Sequence, residues 1–233
     1  MRELPAPLPP EQRTVGQLIA ETIRAYGNAF WRALPLGLPL AVADQLSVRE
    51  TAPVQMLVFW ATLPLFVAGY LWACRLVLDA RPTFVAAGVA VLIWLPFPAL
   101  RAAYVLPALA WLAFIGLAVP AAMVEQLRFR QALVRGRQLG TVDFVHALGS
   151  LAALVVVVGI AANTLSALLH TQGDNGQRAA VFLSDLVLGP LLFLGGALLY
   201  VDQRARAVRS VDADLHPPVD ADAAGRSDAQ VES

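Results

Sequence analysis

The side chains in this sequence that could carry out chemistry are few and widely separated. The three histidines are His146, His170 and His216, and none stands at metal-ligand spacing from another histidine or from a cysteine. The single cysteine, Cys74, lies in an apolar run, so it can form no disulfide within the chain and is interpreted as a small buried apolar residue. We therefore expect no catalytic residue, no metal and no cofactor, and predict that the protein is not an enzyme.

One acidic residue stands well inside an apolar run. Asp185 lies about two turns into the last such run, where Asn163 from the preceding run could face it. An ionisable side chain within a membrane is costly and marks a functional site by default. Two interpretations stay open. Asp185 is a hydrogen-bonding residue that holds the last two helices together, which we prefer, or Asp185 and Asn163 form a polar intramembrane site.

A basic stretch separates two apolar runs in the middle of the chain. Its four arginines are Arg128, Arg130, Arg135 and Arg137. On a helical wheel these arginines border an apolar stripe made of Phe129, Ala132, Leu133 and Gly136. Such a helix suits a surface of anionic lipid headgroups, where each cation contributes about 1 kcal/mol. The alternative is that the arginines only set the orientation of the chain in the membrane.

The elements that must position these residues are apolar segments of membrane length. The chain is 58 % hydrophobic and 15 % charged, with a mean hydropathy of +0.63, whereas soluble domains are about 45–50 % apolar and about 25 % charged. The sequence predicts an all-α integral membrane helical bundle of about six transmembrane helices with additional interfacial amphipathic helices. The predicted spans lie near residues 30–46, 54–78, 83–95, 102–124, 147–169 and 179–201. Pro35 and Pro39 should kink the first of them.

The predicted membrane domain covers residues 14–209, and segments of different composition precede and follow it in the chain. Residues 1–13 form a proline-rich leader, and residues 210–233 form an acidic tail that is disordered by composition. Thr14 and Gln17 have the spacing of a capping box. They predict the start of an amphipathic helix that should lie in the headgroup plane ahead of the first span.

The distribution of arginine predicts how the chain is oriented. Every one of the 17 basic residues is arginine, and in a six-span arrangement only Arg49, Arg101 and Arg178 lie on the side opposite the termini. Because basic residues accumulate on the cytoplasmic side of a membrane, both termini, the leader and the tail should be cytoplasmic. The arginine-only, alanine- and valine-rich composition suggests a bacterium, so we expect a multi-pass protein of the bacterial plasma (inner) membrane.

Three stretches of the chain share features with a known family. They are VGQLIAETIRAYGNAFWRALPL with Tyr26 and Phe30, VPAAMVEQLRFRQALVRGRQL with Pro120, Glu125 and Arg135, and ALLYVDQRARA with Tyr200, Asp202, Arg204 and Arg206. Together they resemble the six-helix membrane domain associated with bacterial glycerophosphoryl diester phosphodiesterases, over roughly residues 14–209. The resemblance implies a stand-alone, membrane-only member. It implies no phosphodiesterase activity, because that chemistry belongs to a separate barrel of about 250 residues for which this chain has no room.

These features predict a non-enzymatic multi-pass membrane protein that acts as an accessory or lipid-contacting module. Its expected partners are the lipid bilayer with its anionic lipids and, for an accessory role, a membrane protein. Nucleic acid is not expected, because the net charge is zero and no basic domain is present. The alternative is a small transporter or permease with a polar site around Asp185 and Asn163. A membrane-embedded enzyme acting on lipid is less favoured, because His, Asp and Glu are not clustered.

Overall fold

A computed structural model describes residues 9–169 and 173–215, and within these ranges the chain is helical and contains no strand. The all-α fold is therefore confirmed. In chain order the α-helices are α1 (Val15–Asn28), α2 (Phe30–Ala33), α3 (Leu38–Ser47), α4 (Ala52–Ala61), α5 (Leu63–Leu78), α6 (Phe84–Trp94), α7 (Phe97–Ala103), α8 (Val105–Ile115), α9 (Ala118–Val124), α10 (Phe129–Val142), α11 (Phe144–Leu169) and α12 (Gly173–Leu215). Two 3-10 helices, Pro10–Gln12 and Leu34–Gly37, precede α1 and α3 respectively.

Helix α1 begins at the capping box that the sequence predicts. The Thr14 backbone N–H donates to the Gln17 side chain at 2.9 Å, and the Gln17 backbone N–H donates to the Thr14 hydroxyl at 3.4 Å. The buried face of α1 carries Leu18, Thr22 and Tyr26, and the helix packs against α11 and α12. Most of the apolar face that we expected to meet lipid headgroups is therefore covered by the rest of the protein, although Ile23 stays 52 % exposed.

Proline divides the N-terminal half of the chain into short helices. Residues 30–46, predicted as one span, form α2, a 3-10 helix that contains Pro35, and α3. Residues 54–78 form α4 and α5, which meet at an angle of 52°. Residues 83–95 form the 11-residue helix α6, which begins after its N-cap Thr83, whose hydroxyl accepts the backbone N–H of Ala86.

Among the described residues, three helical segments are long and apolar enough to cross a membrane. They are Val105–Val124, which α8 and α9 form together, Phe144–Leu165 in α11, and Arg178–Asp212 in α12. The bent pair of α4 and α5 would make a fourth. These segments are compatible with a membrane location. Six spans are not confirmed, because neither residues 30–46 nor residues 83–95 form one continuous helix of the about 20 residues that a bilayer requires.

Helix α12 is the element against which most of the bundle packs. It has 43 residues, contains Pro190 without a break, and contacts α1, α3, α5, α10 and α11. Gly37 lies so close to it that a Cβ there would meet the backbone of Leu186. The helix continues to Leu215, so residues 210–215 of the predicted tail are helical. Residues 216–233 of the tail and residues 1–8 of the leader lie outside the described ranges.

The first and last described segments lie at the same end of the bundle. Arg13 Nη1 lies 3.0 Å from Asp202 Oδ1, which joins the residue before α1 to the C-terminal part of α12. We call this the arginine-rich end, because Arg13 and the arginines at the start of α10 both lie there. At the other end, Gln45 Nε2 donates to the carbonyl oxygen of Arg178 at 2.8 Å. There the first turns of α12 meet α3.

Candidate functional site

The predicted basic helix exists as α10 and is docked on the bundle through small residues. Its buried residues are Ala132, Gly136, Leu139 and Gly140. A Cβ at Gly136 would overlap the backbone of Ala118 in α9, and one at Gly140 would overlap the carbonyl oxygen of Phe114 in α8. Most of the face that we expected to rest on lipid is therefore in contact with protein, although Phe129 at its start stays 39 % exposed. Close backbone contact fixes α10 in position.

The four predicted arginines have different surroundings. Arg128, Arg130 and Arg137 are exposed, and the guanidinium carbon of Arg137 lies 6.0 Å from the centroid of an aromatic ring in α8. Arg135 is half-buried, and its Nε donates to the two carboxylate oxygens of Glu125 at 3.1 and 3.3 Å. Three of the four arginines are thus available on the surface, whereas the fourth takes part in an ion pair within the protein.

Glu125 joins three helices at the arginine-rich end. It follows α9, and besides Arg135 of α10 it accepts a hydrogen bond from the Tyr200 hydroxyl of α12 at 3.0 Å. Tyr200 is only 1 % exposed, while the side chains of Glu125 and Arg135 are 21 % and 33 % exposed. The carboxylate thus accepts hydrogen bonds from both a buried hydroxyl and a guanidinium, so neither donor is left without a partner. The position of the basic helix therefore depends on Glu125.

A second polar network lies beside the first. The carboxylate of Asp202 is fully buried and pairs with Arg13. Arg206 Nη1 lies 2.8 Å from Asp143 Oδ2, and Arg206 Nη2 donates to the carbonyl oxygen of Arg13 at 2.7 Å. Gln203 Nε2 donates to the carbonyl oxygen of Asp143 at 3.0 Å. These bonds hold the residues before α1, the start of α11 and the end of α12 together.

His146 also belongs to this network. Its Nε2 lies 3.3 Å from Nη2 of Arg206, and its backbone N–H donates to Oδ1 of Asp143 at 3.0 Å. Among the described residues no group of three or more His, Cys, Asp or Glu side chains could hold a metal ion. His170 and His216 lie outside the described ranges, and Cys74 is buried.

A cleft of about 730 Å³ opens between the first described residues and α12. Arg204 and Arg209 line it together with Glu11 and Asp212. Because these two cations and two carboxylates balance each other, the cleft attracts an anion less than the exposed side of α10 does.

Known proteins offer no guide to this arrangement. No family model, curated protein or solved structure matches this chain. The resemblance to the phosphodiesterase-associated membrane domain therefore stays a prediction.

Asp185 and Asn163 lie on the neighbouring helices α12 and α11 but have different surroundings. Asn163 is exposed, and its Nδ2 donates to the carbonyl oxygen of Gly159 in its own helix at 2.7 Å. Asp185 is half-buried where α12 comes close to Gly37. A Cβ added at Gly37 would lie only 2.6 Å from the carbonyl oxygen of Asp185. The Asn163 amide is thus bonded within its own helix, and Asp185 lies at a helix crossing.

Sequence reasoning missed the network of Arg13, Asp143 and Arg206. It assigned Arg13 to the leader and gave Asp143 no role. One signal could have indicated the network: Asp202, Gln203 and Arg206 share one side of α12 at a point where an apolar segment would normally end. Their partners could not be inferred, since Arg13 and Asp202 are 189 positions apart.

Proposed function

We propose that this chain is a non-enzymatic, multi-pass protein of the bacterial plasma membrane that binds anionic lipid headgroups at its arginine-rich end. In this proposal both termini are cytoplasmic, and the protein is a lipid-contacting or accessory module. One observation supports it above all others. Arg128, Arg130 and Arg137 are exposed on a helix that glycine contacts and the Glu125–Arg135 pair hold in a fixed position.

The number of exposed arginines sets the expected strength of binding. A cation near an anionic membrane surface contributes about 1 kcal/mol, so three contribute about 3 kcal/mol. That corresponds to a preference for anionic over zwitterionic lipid on the order of 100-fold. Because α10 is already docked, little conformational entropy is lost when lipid binds. The cytoplasmic leaflet is where anionic lipids create such a surface, which agrees with the orientation that the arginine distribution predicts.

Lipid retention measured by native mass spectrometry tests this proposal. The purified protein in a mild detergent is titrated with phosphatidylglycerol or phosphatidylcholine. Neutralising Arg128, Arg130 and Arg137 to glutamine should lower phosphatidylglycerol retention on the order of 100-fold and leave phosphatidylcholine unchanged.

The matched control removes three other exposed arginines, Arg32, Arg204 and Arg209, and therefore causes the same change in net charge. Because the carboxylates of Glu11 and Asp212 offset Arg204 and Arg209 in the cleft, this control should lower retention less than about threefold. Equal losses in the two triple variants would mean that net charge, and not the surface of α10, attracts the lipid. A stoichiometric protein that co-purifies with both variants would favour an accessory role instead.

We propose a small transporter as the second candidate, because Asp185 is half-buried within a long apolar helix. The measurement is proton flux into vesicles that contain the reconstituted protein and a pH-sensitive dye. If Asp185→Asn abolishes a flux that the unmodified protein supports and leaves thermal stability unchanged, transport is favoured. If the variant is less stable and no flux is seen with either protein, Asp185 has a packing role.

A further inference from the structure

The exposed arginines of α10 have no carboxylate beside them. Within the part of the chain that the structure describes, Arg128, Arg130 and Arg137 form no ion pair. Arg135 of the same helix differs, because it pairs with Glu125. Arg130 and Arg137 are seven residues apart, so they lie on one face of α10, about 10.5 Å from each other along the helix axis. This face therefore carries positive charge that an anionic partner can neutralise.

The C-terminal segment of the chain, residues 216–233, has the opposite charge. With histidine neutral, its net charge is −3, because it contains one arginine and four carboxylates, those of Asp220, Asp222, Asp228 and Glu232. Its only aliphatic side chains larger than alanine, apart from proline, are two valines, so it has little apolar surface to bury. Charge is thus the property by which this segment can recognise another surface.

The helix that leads into this segment is in contact with α10. Asp143, the residue that follows α10, pairs with Arg206 of α12 at 2.8 Å. Gln203 of α12 donates to the carbonyl oxygen of the same aspartate at 3.0 Å. Helix α12 continues for nine residues beyond Arg206, and residues 208–212 of this extension are exposed. The acidic segment therefore begins at the arginine-rich end.

The segment is long enough to reach the arginines of α10. Leu215 lies about 13.5 Å beyond Arg206 along α12, and Arg137 lies about 9 Å before Asp143 along α10. With about 10 Å between the axes of packed helices, Leu215 and Arg137 are at most about 35 Å apart. Asp228 follows Leu215 by 13 residues, which extend to about 43 Å at about 3.3 Å per residue. Its carboxylate can therefore meet Arg137.

The spacing of the carboxylates also fits that of the arginines. Asp228 and Glu232 are four residues apart, so an extended chain places them up to about 13 Å from each other. This is close to the separation of about 10.5 Å between Arg130 and Arg137 along α10. Two carboxylates of the segment can thus pair with two arginines of one helix face at the same time.

The arginines of α12 are nearer to the segment but attract it less. Arg204 and Arg209 line the cleft beside α12 together with Glu11 and Asp212. Because these two carboxylates already offset the two cations, the cleft offers little net charge to an acidic chain. The exposed face of α10 is therefore the better partner.

We propose that residues 216–233 bind to the exposed arginines of α10 and compete there with anionic lipid. A guanidinium that pairs with a carboxylate of the segment is not free to form the paired hydrogen bonds that a phosphate accepts. The segment thus regulates the lipid site of the proposed function, on which the competition rests, whereas the docking itself requires no lipid. Exposed ion pairs are individually weak, so we expect the segment to lower lipid affinity only about fivefold. A fivefold effect means that the segment covers the arginines about four-fifths of the time in the absence of lipid.

Crosslinking in the lipid-free, full-length protein tests the docking. In a Cys74→Ala background, Gln138→Cys on the exposed side of α10 and Ala229→Cys in the segment are joined by a short bismaleimide. The yield within one chain should be high at low ionic strength and fall about fivefold in 1 M salt, where the Debye length is about 3 Å. Glu50→Cys, at the opposite end of the bundle, is the matched control and should not crosslink to Ala229→Cys. A yield with Gln138→Cys that is negligible, or that salt does not change, would overturn the inference.

Lipid retention in native mass spectrometry tests the competition. Replacing the four carboxylates by amides, as Asp220→Asn, Asp222→Asn, Asp228→Asn and Glu232→Gln, keeps the length of the segment. It should raise phosphatidylglycerol retention about fivefold. The same four substitutions, made in the variant that lacks the three exposed arginines of α10, should change nothing. An equal rise in both backgrounds would show that net charge alone acts, and would refute the competition.

Two results separate this inference from the proposed function. If phosphatidylglycerol retention depends on the arginines of α10 but the amide variant does not raise it, the lipid site stands and regulation by the segment is refuted. If retention does not depend on these arginines while the salt-sensitive crosslink forms, docking of the segment is supported. In that case the lipid site, and with it the competition, is refuted.

Discussion

Glu125 connects α9, α10 and α12, and removing its carboxylate should loosen the arginine-rich end. Glu125→Ala leaves the nearly fully buried Tyr200 hydroxyl without an acceptor, which costs about 1–3 kcal/mol. It also breaks the pair with Arg135, which is worth no more than about 1 kcal/mol because both side chains are partly exposed. We therefore expect the free energy of unfolding to fall by about 3 kcal/mol.

Two more substitutions divide this loss into its parts. Glu125→Gln keeps a carbonyl oxygen for Tyr200 and loses only the charge, so it should cost about 1 kcal/mol. In a double-mutant cycle, Glu125→Ala and Tyr200→Phe should show a coupling energy of about 1–2 kcal/mol, because each variant removes the same hydrogen bond. Reversible unfolding in mixed detergent–lipid micelles measures the free energy of unfolding of all five proteins: the unmodified one, the three single variants and the double variant.

A carboxylate at the surface of α1 serves as the control for Glu125. Glu21 pairs with Arg24 one turn along the same helix, where the arginine is mostly exposed, so Glu21→Ala should cost at most about 0.5 kcal/mol. If Glu125→Ala is no more harmful than Glu21→Ala, or if its coupling with Tyr200→Phe is zero, Glu125 does not hold the three helices together.

Three further predictions concern packing and orientation. Gly136→Ala should destabilise the protein by about 3 kcal/mol, because the added Cβ would overlap the α9 backbone. Gly159→Ala adds a Cβ that meets nothing within 4 Å, so it should stabilise the helix by up to about 1 kcal/mol. Thermal unfolding in detergent compares the two variants. Asp202→Ala should cost about 3–5 kcal/mol in equilibrium unfolding, since it leaves a largely buried arginine without its carboxylate, and a cost near zero would contradict the buried pair. Single cysteines at Ser210 and Glu50, which lie at opposite ends, should react with a membrane-impermeant maleimide only from inside and only from outside respectively; reaction of both from one side would refute the proposed orientation.

Local signals in the sequence predicted local structure well. The capping box at Thr14 starts α1, and the prolines after residue 34 interrupt the helix there. Pro190 shows the limit of such reasoning, because α12 continues through it without a break. A proline removes one backbone donor everywhere, but neighbouring helices determine whether the chain bends as a result. Proline positions alone therefore could not predict which apolar runs form continuous helices.

The candidate site was predicted only in part, since its important contacts are distant in sequence. Hydropathy indicated that α10 is amphipathic, but it could not show that Gly136 and Gly140 bring the helix against other backbones. The four arginines are chemically equivalent in the sequence. Only the fold distinguishes Arg135, because it places this residue against Glu125 across a break between two helices. The sequence singled out Asp202 only as part of a family resemblance. Its carboxylate is buried because it pairs with Arg13, which lies near the other end of the chain.

The order in which the chain is synthesised has a consequence for α12. Helices α1, α3 and α5 all pack against it, yet more than 100 residues separate α1 from the start of α12. At about 5–20 residues per second, the ribosome needs roughly 10–30 s to make the intervening chain. During that interval the first helices have no partner for the faces that α12 will cover, so assembly of the bundle must be completed after α12 emerges from the ribosome. A messenger RNA truncated before Gly173 would therefore yield a product suited to quality-control proteases and not a smaller stable bundle.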